Sequence, residues 1–182
     1  THDRSNTGIY SMDIYQDGDL VFSGSFLDTF ELGGLTFIDA DTKSLGEYNQ
    51  TYVGDLFVGA ISKHGVGKWG HVVSGNGDEI VRWSGFSDGK VYLTGWSSDT
   101  CQIGNQDLRS DFTVVFDSMG QFLDGQNVSN SFNTLYDGGK LAGVSFIVAF
   151  TSSPCNTPIL PAIGTYNNDY VVLYFYKDDY TR

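Results

Sequence analysis

Apolar and polar residues alternate with a period of two along most of this chain, in short runs parted by Gly, Asp, Asn and Ser. That pattern predicts half-buried β-strands joined by tight turns. Ile9 to Tyr15 and Leu20 to Phe26 read as two strands around the turn Gln16-Asp17-Gly18, where Asp-Gly supplies the positive-φ residue of a two-residue hairpin. A third strand is expected at Glu31 to Phe37 or at Asp55 to Ser62, and a fourth at Lys68 to Val73, after the turn His64-Gly65-Val66-Gly67. The series then restarts: Glu79 to Phe86, the turn Ser87-Asp88-Gly89, Val91 to Trp96, Asp111 to Phe116, the turn Asp117-Ser118-Met119-Gly120, and Gln121 to Gln126. Phe146 to Phe150 and Tyr170 to Tyr176 follow as further strands.

The restart is an internal repeat. Asp17 to Gly24 matches Asp88 to Gly95 by identity or chemical likeness, Asp19 against Lys90 excepted, at a shift of 88 − 17 = 71, and Leu32-Gly33 matches Ile103-Gly104 at the same shift. Asp55-Leu56-Phe57-Val58 matches Asp111-Phe112-Thr113-Val114 at 111 − 55 = 56, and then Asp169-Tyr170-Val171-Val172 at a further 58. Phe146 to Phe150 matches Tyr92 to Trp96 at 54. Self-similarity at this spacing means a repeat architecture. Three repeats are expected in a single domain, at about 9–75, 76–131 and 132–182, behind a polar tail at 1–8. The difference between 71 and 56 places an insertion between Thr36 and Val53, read as an exposed loop. The third repeat is degenerate and stops one strand short.

The string running from Asp17 to Trp69 sets Asp-x-Gly before a strand ending in Ser/Thr-Gly, then an acidic loop with Thr and Leu-Gly, then Asp-Leu-Phe-Val, a Gly turn and Trp. It resembles the SBBP-type β-propeller repeats of extracellular proteins. The resemblance spans most of 9–176 and is weakest in the third repeat. It implies one four-stranded blade per repeat, and it brings across no catalytic residue. Three blades do not close a ring, because propellers close with about four to eight. An all-β fold is therefore expected, of antiparallel blade-like repeats, either β-propeller-like or an open β-array, with few or no helices.

Composition agrees with an all-β chain: Gly (23), Tyr (11) and Phe (13) are abundant in 182 residues. The net charge of −12, with ten Lys and Arg, repels phosphate backbones, so nucleic acid is not an expected partner. No run of about 18 apolar residues marks a membrane span. Thr1-His2-Asp3 reads as a mature or excised end, and the sequons at Asn49 and Asn127 fit an extracellular or secreted glycoprotein.

Candidate chemistry is sparse. Asp13, Asp17 and Asp19 resemble part of a calcium loop, but they lack its bidentate Glu, and the hairpin turn accounts better for their glycine. His2, His64 and His71 are too few and too scattered for a metal centre. Cys101 and Cys155 fall at equivalent points of successive repeats and are expected to bridge, with two free thiols as the other reading. Trp69, Trp83, Trp96 and Tyr92 suit core packing better than a sugar-stacking platform. Tyr170, Val172, Tyr174 and Tyr176 alternate with Val171, Leu173 and Phe175, so both faces of that strand are apolar, and it is read as an assembly edge. These features point to a non-enzymatic extracellular structural protein without cofactors that self-associates through sheet edges and strand exchange. The alternative is a ligand-binding module, for carbohydrate or protein, of a larger secreted protein.

Overall fold

The computed structural model describes residues 7–14, 16–39, 54–75, 77–87 and 89–127, together with the strands Thr134–Leu141, Val144–Thr151, Gly164–Tyr166 and Asp169–Tyr176. The chain falls into two compact units, Thr1–Asn127 and Val128–Arg182. The fold is all-β and antiparallel, and Gln16–Gly18, a single 3-10 turn, are the only helical residues among those described. The described strands close neither a barrel nor a propeller ring.

In the first unit, β1 (Gly8–Ile14), β2 (Leu20–Phe26), β5 (Asp55–Ile61) and β6 (Gly67–Gly75) form one meander. A second is formed by β7 (Glu79–Ser87), β8 (Lys90–Ile103), β9 (Gln106–Asp117) and β10 (Phe122–Asn127). Only one of the two sites offered for the third strand is a single strand, since Glu31 to Phe37 is broken at Gly33-Gly34. Asp55–Ile61 takes the place in the sheet, while β3 (Thr29–Leu32) and β4 (Leu35–Ile38) make a separate hairpin. Its loop is Gly33-Gly34, both at positive φ, which a two-residue turn between right-twisted strands requires.

The turn after β1 differs from its expectation. Ile14 pairs with Leu20, so the loop holds five residues and not two. Asp17 and Gly18 both stand at positive φ, and Asp19, outside the ladder, is held by other parts of the sheet. Its counterpart, Lys90, pairs directly with Ser87 across a true two-residue turn.

The ladders fix the repeat more sharply than residue likeness does. The first strand of each meander carries one extra residue at the same place: Tyr10 opposite Ser23 and Gly24, Arg82 opposite Thr94 and Gly95. Those partners lie 95 − 24 = 71 apart. The fourth strands also bulge at matching places, Lys68 opposite Ala60 and Ile61, Leu123 opposite Val115 and Phe116. The third strands are therefore 115 − 60 = 55 apart, not 56. With a side-chain period of two, one residue of slip exchanges the faces of a strand. Leu56 and Val58 meet Phe112 and Val114 in one core between the two sheets, each pair reaching it from its own side. Sequence likeness at 56 records residues that line the same core, whereas the ladder at 55 records residues in the same place.

That core also takes Val21, Ala60, Trp69 and Val73 from the first sheet, and Val81, Val91, Leu93 and Phe116 from the second. On the other face of sheet one, Phe22, Phe26 and Phe57 are buried under the β3–β4 hairpin, which adds Phe37 to the cluster with Phe30 stacked on it at 4.7 Å. This double cover explains why β5 is buried along nearly its whole length. On the far face of sheet two, Trp83, Tyr92 and Val115 are buried.

β8 and β9 run well beyond the expected strands. Past a register break between Ser97 and Cys101 they continue as a hairpin around Gly104-Asn105, and there β8 also pairs with β6 through Ser74–Gln102 and Gly75–Cys101. The two meanders thereby become one eight-stranded hydrogen-bonded array. The extension matches the β3–β4 hairpin at the shift of 71.

The second unit is a four-stranded sheet, in the order β11 (Thr134–Leu141), β12 (Val144–Thr151), β14 (Asp169–Tyr176), β13 (Gly164–Tyr166). Tyr136 is its extra residue opposite Val148 and Ala149, which places Ala149 with Gly95 at 54. The third sheet is not a strand short. The fourth place is filled by β13, which precedes β14 in the chain and pairs with it only from Asp169 to Val171.

Candidate functional site

The two sheets of the first unit meet at β1 and β7. β7 has a ladder partner on one side only, namely β8, and its other edge is met by side chains from sheet one. Ser11 Oγ accepts from the Ser84 N–H and donates to the Ser84 carbonyl, both at 3.0 Å. Asp13 Oδ2 accepts from the Phe86 N–H at 2.8 Å, and Ser23 Oγ donates to Ser84 Oγ at 2.7 Å. An edge whose main-chain groups are engaged by side chains is closed to a further strand. Nothing in the alternation of these strands separated Ser11, Ser23 and Ser84 from other polar positions; the one signal was serine at strand places whose neighbours on both sides are apolar.

The other face of β1 is open. Tyr10, Met12 and Ile14 are 64%, 66% and 68% exposed, and Ile9 is exposed beside them. β1 is also the outermost strand of its sheet. Large apolar side chains thus gather on an outermost strand.

The three acids of the suggested calcium loop serve separate ends. Asp13 bonds Phe86 and, through Oδ1, its neighbour Ile14 N–H at 2.8 Å. Asp17 is exposed at the turn. Asp19 is buried, accepting from the Lys63 N–H at 2.9 Å and from Lys68 Nζ at 2.7 Å. The Lys68 ammonium, followed by the Lys63 amide, holds the Asp19 carboxyl below its ordinary range. Among the described residues no three His, Cys, Asp or Glu side chains gather as a metal would need.

Cys101 is a free thiol, buried in the core between the two sheets, and Cys155, its expected bridge partner, lies outside the described residues. Burial pushes the Cys101 thiol up to about 11, and the negative charges of Glu79 and Asp55 add to the rise. Glu79, whose burial no pattern in the sequence announced, is fully enclosed and accepts from Ser97 Oγ at 2.9 Å. His71 lies flat on Phe116, 4.9 Å between ring centres, and its Nε2 meets the Gly120 carbonyl at 2.6 Å, which makes Nε2 the protonated nitrogen. His64 is exposed in a turn, and His2 lies outside the described residues. Trp69, Trp83 and Tyr92 are core residues, and Trp96 is half-buried.

Of the two sequons, Asn49 lies outside the described residues. Asn127 is exposed at the end of β10, where its Oδ1 accepts from the Arg109 N–H at 2.8 Å. Tyr170, Val172, Tyr174 and Tyr176 lie on β14, which pairs with β12 along its length; on its other flank β13 reaches only Val171. No helix among the described residues is long and apolar enough to cross a membrane.

Neither the models of known protein families nor the curated proteins give a match to this chain.

Proposed function

We propose that the chain is a non-enzymatic extracellular structural subunit that self-assembles through the edges of its β-sheets. The observation that carries this reading is the apolar face of β1, where Tyr10, Met12 and Ile14 stand exposed on the outermost strand of an eight-stranded array. A single exposed apolar residue is ordinary; several on one edge strand are a liability that an isolated monomer has reason to avoid. The flank of β14 beyond Val171, with no strand paired to it among the described residues, supports the same reading. In this reading the repeats are relatives of the extracellular propeller blades whose motifs they resemble, and the coincident bulges of the three first strands support their being copies of one unit. Secretion rests on the two sequons.

Size-exclusion chromatography with light scattering, from about 1 to 100 μM, is expected to show mass rising with concentration, and negative-stain microscopy to show discrete oligomers or filaments. A monomer throughout that range sinks the proposal. Material secreted from a eukaryotic host is expected to lose mass on treatment with an endoglycosidase, and the Asn49→Gln, Asn127→Gln double variant is not.

A further inference from the structure

At its first strand and at its hairpin edge, the first sheet leaves open part of the docking surface that the second sheet carries filled. The ladders make Met12 and Ile14 the equivalents of Ser84 and Phe86, since Met12 pairs with Phe22 and Ile14 with Leu20 as Ser84 pairs with Leu93 and Phe86 with Val91. In the second repeat these positions are where the first repeat lands, through Ser11, Ser23 and Asp13. The same holds for the hairpins. Phe30 and Glu31 of β3 are the equivalents, at 71, of Cys101 and Gln102, whose outer edge pairs with Gly75 and Ser74 of β6. β3 has β4 on one side and no other strand paired to it among the described residues. Two separate pieces of one interface, a strand face and a strand edge, are thus occupied in repeat two and, among the described residues, unoccupied at the same places in repeat one.

We propose that this surface of the first repeat receives a repeat sheet from a second copy of the chain, stacked in the same sense as sheet one stacks on sheet two, with a last-strand edge laid along β3. The inference rests on the self-assembly reading and specifies its geometry. Contact of this kind joins two different surfaces. It is heterologous, so it propagates through successive copies unless the rotation closes a ring. The occupant is a second copy because the surface continues an interface already built within the chain from the same kind of sheet. Its character differs in one respect: where Ser84 takes hydrogen bonds, Met12 offers a thioether, so the incoming face is held by apolar contact more than by polar capping.

The test uses Met12→Lys with Ile14→Lys in the full chain. Both side chains are two-thirds exposed, so the fold is expected to survive, as circular dichroism and the melting temperature will check; Met12→Ser with Ile14→Thr serves if the lysine pair unfolds. The double variant is expected to associate about a hundredfold more weakly than the native chain, from the loss of two buried apolar contacts and the burial of charge. Because its opposite surface is intact, a substoichiometric amount is also expected to cap native assemblies and shorten them. A variant that associates as tightly as the native chain overturns the inference and leaves the self-assembly reading standing. A variant that is monomeric yet leaves native assemblies unchanged shows β1 meeting its own copy, and overturns the head-to-tail geometry. A native chain that stays monomeric overturns both.

Discussion

Gly24 shows how little room individual positions leave. It lies where β1 crosses β2, and a methyl group there would run into the Gly8 carbonyl and come within 2.7 Å of the Phe57 ring. Gly24→Ala is expected to destabilise the first unit by about 1–3 kcal/mol, read from urea unfolding, because backbone does not yield as a flexible side chain does. Asp19 sets a different test. Its carboxyl is held low by Lys68 and Lys63, so its contribution is present above the unfolded pKa, near 4, and is lost as pH falls through the lower folded value. The gap in melting temperature between the native chain and Asp19→Asn is expected to be constant from pH 7 to about 5 and to shrink below about 4. The Cys101 thiol has the opposite sign. It is raised from 9.0 to about 11, so the stability that it confers is complete below about pH 8.5 and declines between about 9 and 11. In a Cys155→Ser chain, Cys101 is expected to resist a thiol reagent at pH 8 until the protein is unfolded.

Among the elements, the junction between β1 and β7 is the one most exposed to a single substitution. Ser11→Ala removes both the acceptor of the Ser84 N–H and the donor to its carbonyl, and it is expected to cost about 1–3 kcal/mol in urea unfolding. Most strands were legible in the sequence, because alternation and Asp-Gly or Gly-Gly turns are local signals. The extensions of β8 and β9 were not, since Ser98, Asp99, Gln102, Asp107 and Arg109 make that stretch polar, and Cys101, Ile103 and Leu108 alone mark its inner face. The order of β13 and β14 was not legible either, for nothing local to Gly164–Tyr166 tells which side of β14 it joins. Of the candidate site, the repeat pointed toward a need for neighbours. The face that is open could be found only after the bulges had fixed which residues are equivalent.

At the scale of the molecule, a net charge of −12 sets copies against one another. If assembly proceeds through the apolar face of β1, screening that repulsion is expected to strengthen it: the association constant should rise as NaCl goes from about 20 to 300 mM, where an assembly held by opposite charges would weaken. Light scattering at fixed protein concentration reads the sign directly. β8 carries a further consequence. One strand is shared by both sheets, bonded to β7 up to Ser97 and to β6 from Cys101 onward. The repeat that is plain in the sequence is therefore no portable cassette. A cut between repeats leaves one half without its last partner strand and the other with its core laid bare, so the lineage of such chains is expected to have grown by doubling in place and not by shuffling single blades.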